Sequence, residues 1–208
     1  KSKVGGPTRE HSYPGAQALI SGRSQALYMI WDGIRAVDYL LERKEVDPAR
    51  IGITGRSGGG THSAYIAAYD RRILAVAPEN YITNYTRLLQ SIGPQDAEQN
   101  LSNLIAKGLD HPDFLMVRAP KPALMITTSE DMFSIQGAME TYREVQMAYK
   151  AFGKEENAAQ VIDDSGHGFG RNINTIYTFF QKALDMPGST QEEKLESFNP
   201  EDLKVTPT

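Results

Sequence analysis

Apolar positions along this chain recur in two rhythms. Leu27, Ile30, Trp31, Ile34, Val37 and Leu41 fall three or four residues apart, the spacing that lines one face of an α-helix. The same spacing returns at Ile135, Met139, Tyr142, Val145, Tyr149 and Phe152, and again at Ile173, Ile176, Tyr177, Phe180 and Leu184. The first stripe stops at Glu42-Arg43-Lys44 before Asp47-Pro48, the second at Gly153 and the third at Pro187-Gly188, all ordinary helix-ending signals. Between them lie short apolar runs: Arg50-Ile51-Gly52-Ile53-Thr54, Ile73-Leu74-Ala75-Val76-Ala77, Pro122-Ala123-Leu124-Met125-Ile126-Thr127 and Ala159-Gln160-Val161-Ile162. Runs of that length bounded by turn residues read as strands covered on both faces. Residues 61–69 also look helical, and 84–107 irregular and partly helical.

Strand and helix alternating in this way predict an α/β fold, a mostly parallel sheet with helices on both faces. The alternation occupies residues 24–188. Residues 1–23, rich in Gly, Pro, Ser and charge, read as an irregular lead-in, and 189–208 as a C-terminal tail or linker whose last residues, 203–208, are extended. The chain has 208 residues, 40% hydrophobic and 23% charged, enough for one domain with its own core.

Charge and composition narrow the partners. The formal net charge is −4, the basic residues are scattered, and no nucleic-acid partner is expected. No apolar run approaches the roughly 18 residues that a membrane helix needs, so no membrane partner is expected either. There is no cysteine, which removes disulfides, cysteine–zinc sites and thiol nucleophiles together. The chain opens on Lys1 rather than Met, so the lack of a signal sequence carries no information on compartment.

The chemistry centres on Ser57. Gly55-Arg56-Ser57-Gly58-Gly59 follows a strand and opens a helix, the context of the G-x-S-x-G turn that presents a serine hydroxyl at a sharp bend. Such a turn brings strand and helix too close for side chains two residues either side of the serine, and Gly55 and Gly59 meet that need. The competing reading is a glycine-rich phosphate loop. That would want G-x-G-x-x-G or a Gly-Lys-Ser/Thr ending, and neither is present. At the head of the new helix, the Gly58 N–H is placed to serve as an oxyanion donor. Arg56 either binds a polar group of the substrate or pairs with an acid across the loop.

A serine hydroxyl needs a base, and the chain has four histidines. His167 lies just past the last strand in Ser165-Gly166-His167-Gly168-Phe169-Gly170, at the edge where parallel sheets place their chemistry. His62 reads as packing or capping on the helix that starts at Ser57, while His11 and His111 read as surface residues. The acid that orients the imidazole is assigned to Asp131, after the strand that ends at Thr127, with its neighbour Glu130 as rival. Asp163 and Asp164 lie too near His167 in sequence to reach round its ring.

The order Ser57, Asp131, His167, each after its own strand, resembles the α/β-hydrolase superfamily. Within it, Trp31-Asp32-Gly33-Ile34-Arg35-Ala36-Val37-Asp38-Tyr39-Leu40 and Val46-Asp47-Pro48-Ala49-Arg50-Ile51-Gly52 resemble the acetyl xylan esterase and prolyl-oligopeptidase-like branch, above all its carbohydrate acetyl esterases. The resemblance implies a serine carboxylesterase that hydrolyses short acyl esters, acetyl above all, on polysaccharide or oligosaccharide. It implies no metal and no cofactor, and a secreted or periplasmic location. Two alternatives stand beside it: a serine peptidase of the prolyl-oligopeptidase type, and a catalytically silent hydrolase-fold subunit. The superfamily also implies further strands ahead of the elbow and a second oxyanion donor after one of them. Here the residues before Ser57 hold a helix and a loop. An incomplete, C-terminal portion of the fold is therefore expected, with a second chain or self-association completing the sheet.

Overall fold

The apolar runs become four strands, β1 (Ile51–Arg56), β2 (Ile73–Glu79), β3 (Ala123–Glu130) and β4 (Ala158–Gly166). The structure, a computed structural model, describes residues 7–168, 173–193 and 196–205. All three strand pairs are parallel, and the strands lie side by side in chain order, β1-β2-β3-β4. In register, Arg56 faces Glu79, Glu79 faces Ile126 and Glu130 faces Gly166. The carboxyl ends of the four strands therefore finish along one edge. Each return crosses through helix: α4 (Gly58–Tyr69), then α5 (Tyr85–Ser91) with α6 (His111–Met116), then α7 (Ile135–Ala151).

Successive side chains of a strand point to opposite faces, and this divides the core in two. On one face, Ile51, Val76, Ala123 and Met125 pack with Ala64 and Tyr65 of α4, Val145 and Tyr149 of α7, and Ile30 and Val37 of α3 (Gln25–Leu41). On the other, Ala77, Leu124 and Ile126 meet Ile176, Phe179 and Phe180 of α8 (Ile173–Ala183). Burying each such side chain contributes roughly 1.5–3 kcal/mol. Helices thus cover both faces, the α/β-hydrolase arrangement.

Several residues of the recognisable sequence stretches are structural. A Cβ on Gly33 would lie 2.7 Å from Ile66 Cγ1, so glycine lets α3 cross close over α4. Asp38 pairs with Arg72, which also binds Asp70 at 2.6 Å. Asp47 accepts the Ala49 N–H at 2.9 Å and pairs with Arg50 at 2.7 Å, and Arg50 in turn reaches the Asp185 carbonyl at 3.0 Å.

Four expectations need correction. The lead-in is not irregular where it is described: it forms α1 (Pro7–Glu10) and α2 (Ser12–Ile20). α2 packs on the chain after α5, and a Cβ on Gly15 would collide with Ala97. Strand β3 continues through the expected loop to Glu130, because its pairing with β4 persists to Gly166. His111 is not at the surface. It begins α6, where Asp110 and Asp113 form a capping box, and is fully buried. Its ring stacks on Tyr81 at 4.8 Å, and its Nδ1 accepts the Thr83 N–H at 3.1 Å. The expected extended end also begins differently, since Leu203 closes a 3₁₀ turn, Pro200–Leu203, and residues 206–208 lie outside the described residues.

Burial holds the His111 imidazole neutral, with its pKa drawn down to about 3. The unfolded chain takes up that proton near the ordinary value and the folded chain does not, so stability must fall as pH drops below about 6.5. At pH 5 this one group costs about 2 kcal/mol. In His111→Asn the amide oxygen can still accept from Thr83, so the variant should be less stable than wild type at pH 7. Its loss between pH 7 and pH 5, measured by urea unfolding, should be smaller by about that amount.

Candidate active site

The carboxyl edge of the sheet gathers the residues of interest. Ser57 lies between β1 and α4 with φ +57° and ψ −120°, backbone that a residue with a side chain adopts only under strain. Its N–H donates to the Glu79 carbonyl on β2 at 2.9 Å, and its own carbonyl accepts the Thr61 N–H at 2.9 Å as the first turn of α4. The bend works because side chains are missing at Gly55 and Gly60, whereas Gly59, expected to be needed, has open space around its Cα. A Cβ on Gly55 would lie 2.6 Å from the Gly59 carbonyl oxygen, and one on Gly60 would collide with the Glu79 carbonyl. Gly58 has open space around its Cα, and its N–H is among the opening donors of α4 that no helical carbonyl satisfies.

Asp131 and His167 are joined directly. The imidazole Nδ1 lies 2.9 Å from Asp131 Oδ1 and 3.1 Å from Oδ2. An ionised carboxylate only accepts, so Nδ1 carries the proton and Nε2 is left as the basic nitrogen. The Asp131 side chain is 2% exposed and the His167 side chain 24%, so the acid is dry while the ring reaches solvent. Phe133 flanks the ring with its centroid at 5.9 Å. Glu130, the rival acid, is exposed and points out of this cluster's burial. Asp164 is occupied by the Ser129 hydroxyl at 2.7 Å. Phe169 and Gly170 of the histidine loop lie outside the described residues.

Ser57 stands on the same edge, linked to this pair through β2. Glu79 faces Arg56 in register and is buried at 3% exposure. Burial raises its pKa, while the positive charge of Arg56 opposes the rise. Arg56 thus has an acidic neighbour, which favours pairing over a direct role in binding substrate. The other histidines do different work. His62 is half-buried on α4 with its pKa lowered by burial, and His11 lies 2.8 Å from Glu98. Among the described residues no cluster of three or more His, Cys, Asp or Glu side chains is placed to hold a metal ion.

Two further residues serve the acid, and the sequence pattern does not mark them. The Asn80 amide nitrogen donates to Thr128 Oγ1 at 2.7 Å and also to Asp131 Oδ2. The Thr128 hydroxyl donates to the same Oδ2 at 3.1 Å, and the Phe133 N–H to Oδ1 at 3.1 Å. The one local signal is an asparagine directly after a buried strand, a residue type that tolerates positive φ.

The family model described as the prolyl oligopeptidase family matches residues 25–187. The protein YtaP of Bacillus subtilis (strain 168), named as a hydrolase, is 27% identical over 157 residues, covering 73% of this chain and 51% of YtaP. Among solved structures, methylesterase BT1017 aligns with a TM-score of 0.67 and 27% identity, over 78% of this chain and 37% of its own. The glucuronoyl esterase catalytic domain from Hypocrea jecorina aligns with a TM-score of 0.63 and 18% identity, over 86% and 57%. A carbohydrate esterase family 15 glucuronoyl esterase from Caldicellulosiruptor kristjansonii has a TM-score of 0.61 and 16% identity, over 82% and 54%. The chain spans about half the length of the curated relative it matches.

The elbow's geometry yields a direct test. Gly60→Ala should destabilise the fold by about 1–3 kcal/mol, because its Cβ meets a backbone carbonyl that cannot rotate away. Gly58→Ala, where space is open, should cost no more than about 1 kcal/mol. Urea unfolding of the two variants beside wild type measures the difference, and equal losses would show that the close approach is not what requires glycine.

Proposed function

Because the chain belongs to the prolyl oligopeptidase family of α/β-hydrolase folds, we propose that it is the catalytic portion of a serine carboxylesterase acting on carbohydrate-linked esters, with Ser57, His167 and Asp131 as its triad. The observation that carries this is the buried Asp131 carboxylate bound to His167 Nδ1 on the sheet edge that also bears the strained Ser57.

In this reading Ser57 Oγ attacks the ester carbonyl as His167 Nε2 takes its proton. The bond from Oγ to the acyl carbon forms and the carbonyl pair moves onto oxygen, where the Gly58 N–H receives it. Collapse expels the sugar alkoxide, which leaves as an alcohol with the proton from His167. Water, activated by the same nitrogen, then releases the acid and restores Ser57. Asp131 keeps the imidazole in the tautomer that exposes Nε2 and stabilises its charged form. Arg56, beside the nucleophile, is proposed either to bind a polar group of the substrate or to pair with an acid such as Glu79, and no step calls for a metal or cofactor.

Acetyl on sugar is the acyl group favoured by the sequence resemblance. A second reading has an observation of its own: the similar structures are named as a methylesterase and as glucuronoyl esterases, which favours esters of a sugar carboxylate. Hydrolysis of acetylated xylan against a methyl glucuronate ester separates the two. Aminoacyl arylamides add the peptidase alternative, and turnover of these alone would overturn the esterase reading.

Labelling tests the residues. A fluorophosphonate should modify Ser57, and Ser57→Ala should abolish labelling with little change in stability. Asp131→Asn should lower turnover by about four orders of magnitude, while Glu130→Gln should leave it within a few-fold. The reverse ranking would move the acid to Glu130.

Completeness is a separate proposal. Among the described residues β1 pairs only with β2, and α3 exposes Leu27, Trp31 and Tyr39 at 46%, 57% and 60%. Unpaired edges and apolar patches of this kind call for cover, which a second chain or self-association supplies in this reading. The isolated 208-residue chain should therefore self-associate in light scattering and hydrolyse p-nitrophenyl acetate weakly. A monomer with full turnover would overturn this.

A further inference from the structure

Asn80 is an unusual residue in an unusual conformation. It follows β2 directly, is 1% exposed, and has φ +51°. Its N–H continues the ladder to the Ile126 carbonyl at 2.9 Å, so the backbone is fixed on β3 while the positive φ turns the side chain to the acid. Strain of this kind persists only where its surroundings hold it in place. The amide nitrogen has two hydrogens, and both are used, one on Thr128 Oγ1 and one on Asp131 Oδ2. Among the described residues the amide oxygen is buried without a hydrogen-bond partner. Rotating the amide would set that oxygen against the Asp131 carboxylate, so the charge on Asp131 selects the orientation at the cost of an unsatisfied oxygen.

The residue before it holds the other half of the site. The Glu79 carbonyl accepts the Ser57 N–H, and Gly60 packs against the same oxygen. One dipeptide therefore grips the nucleophile's backbone with one residue and the acid's carboxylate with the next. We infer that Glu79-Asn80 is the spacer of the site, and that Asn80 is a positioning residue that fixes the Asp131 carboxylate, and through it the His167 ring, relative to Ser57. This rests on the triad reading above. The titratable groups that act on the neighbouring Glu79 are Arg56, Asp163 and His167.

The test uses two variants and two readouts on the full chain. Asn80→Gly accepts the positive φ and removes the amide, so it should fold. Asn80→Asp keeps the shape but sets a second carboxylate against Asp131. Ser57 labelling by a fluorophosphonate, expressed per active site, should slow by about 10- to 100-fold in Asn80→Gly. The His167 titration, followed by NMR, should move up by about one unit in Asn80→Asp, which a purely structural role would not produce. A labelling rate within twofold of wild type in folded Asn80→Gly, or a His167 titration unmoved in Asn80→Asp, would overturn the role of Asn80. If wild-type Ser57 does not label, the triad reading falls instead, and the His167 titration alone decides whether Asn80 holds the Asp131–His167 pair.

Discussion

The backbone bond from the Ser57 N–H to the Glu79 carbonyl is the contact on which the site is built. It forces strand, bend and helix into one tight unit, and it explains why Gly55 and Gly60 have no side chains to spare. The positive φ at Ser57 costs of order 1–3 kcal/mol. Helix α4 offsets that, because almost every residue from Gly60 to Ala67 is buried, and its Tyr65 hydroxyl reaches the Gln99 carbonyl at 2.5 Å. Ser57, the proposed nucleophile, is thus held by the packing of α4.

The acid is held by polarity instead. An ionised carboxylate taken out of water is costly unless hydrogen bonds replace the lost hydration. Asp131 receives them from Asn80, Thr128, Phe133 and His167. These donors come from the ends of β2, β3 and β4 and the loops beyond them, so the acid's setting depends on the register of all three strands. The site couples a tightly packed half to a hydrogen-bonded half, and the end of β2 belongs to both.

Much of this was legible before any coordinates. Strands buried on both faces leave continuous apolar runs, so residues 73–77 and 122–127 announce β2 and β3, and the helices under them show a clear 3.6-residue stripe. The serine, acid and histidine stand out because each follows a strand and few residue types can do their chemistry. Other features left no such mark. Helices α1 and α2 hide in a segment of Gly, Pro and Ser because tertiary contact, not propensity, holds them. His111 reads as a polar loop residue, since nothing local shows that Tyr81 will stack on it. Asn80 is silent for the same reason: its partners, Thr128 and Asp131, are about fifty residues away, and a pattern along the chain carries no trace of a contact across it.

The sheet's order has a consequence for how the molecule is made. Strand order and chain order coincide, so each new strand can dock on an edge that already exists as synthesis proceeds from the amino end. No strand has to be inserted between two earlier ones. The serine bend is complete once β2 has supplied the Glu79 carbonyl, the amide of Asn80 waits before its carboxylate emerges, and the imidazole arrives last, after β4. A ribosome releasing this segment therefore delivers the four strands before the imidazole proposed to carry the proton, and helix α8, which covers the second face, after it.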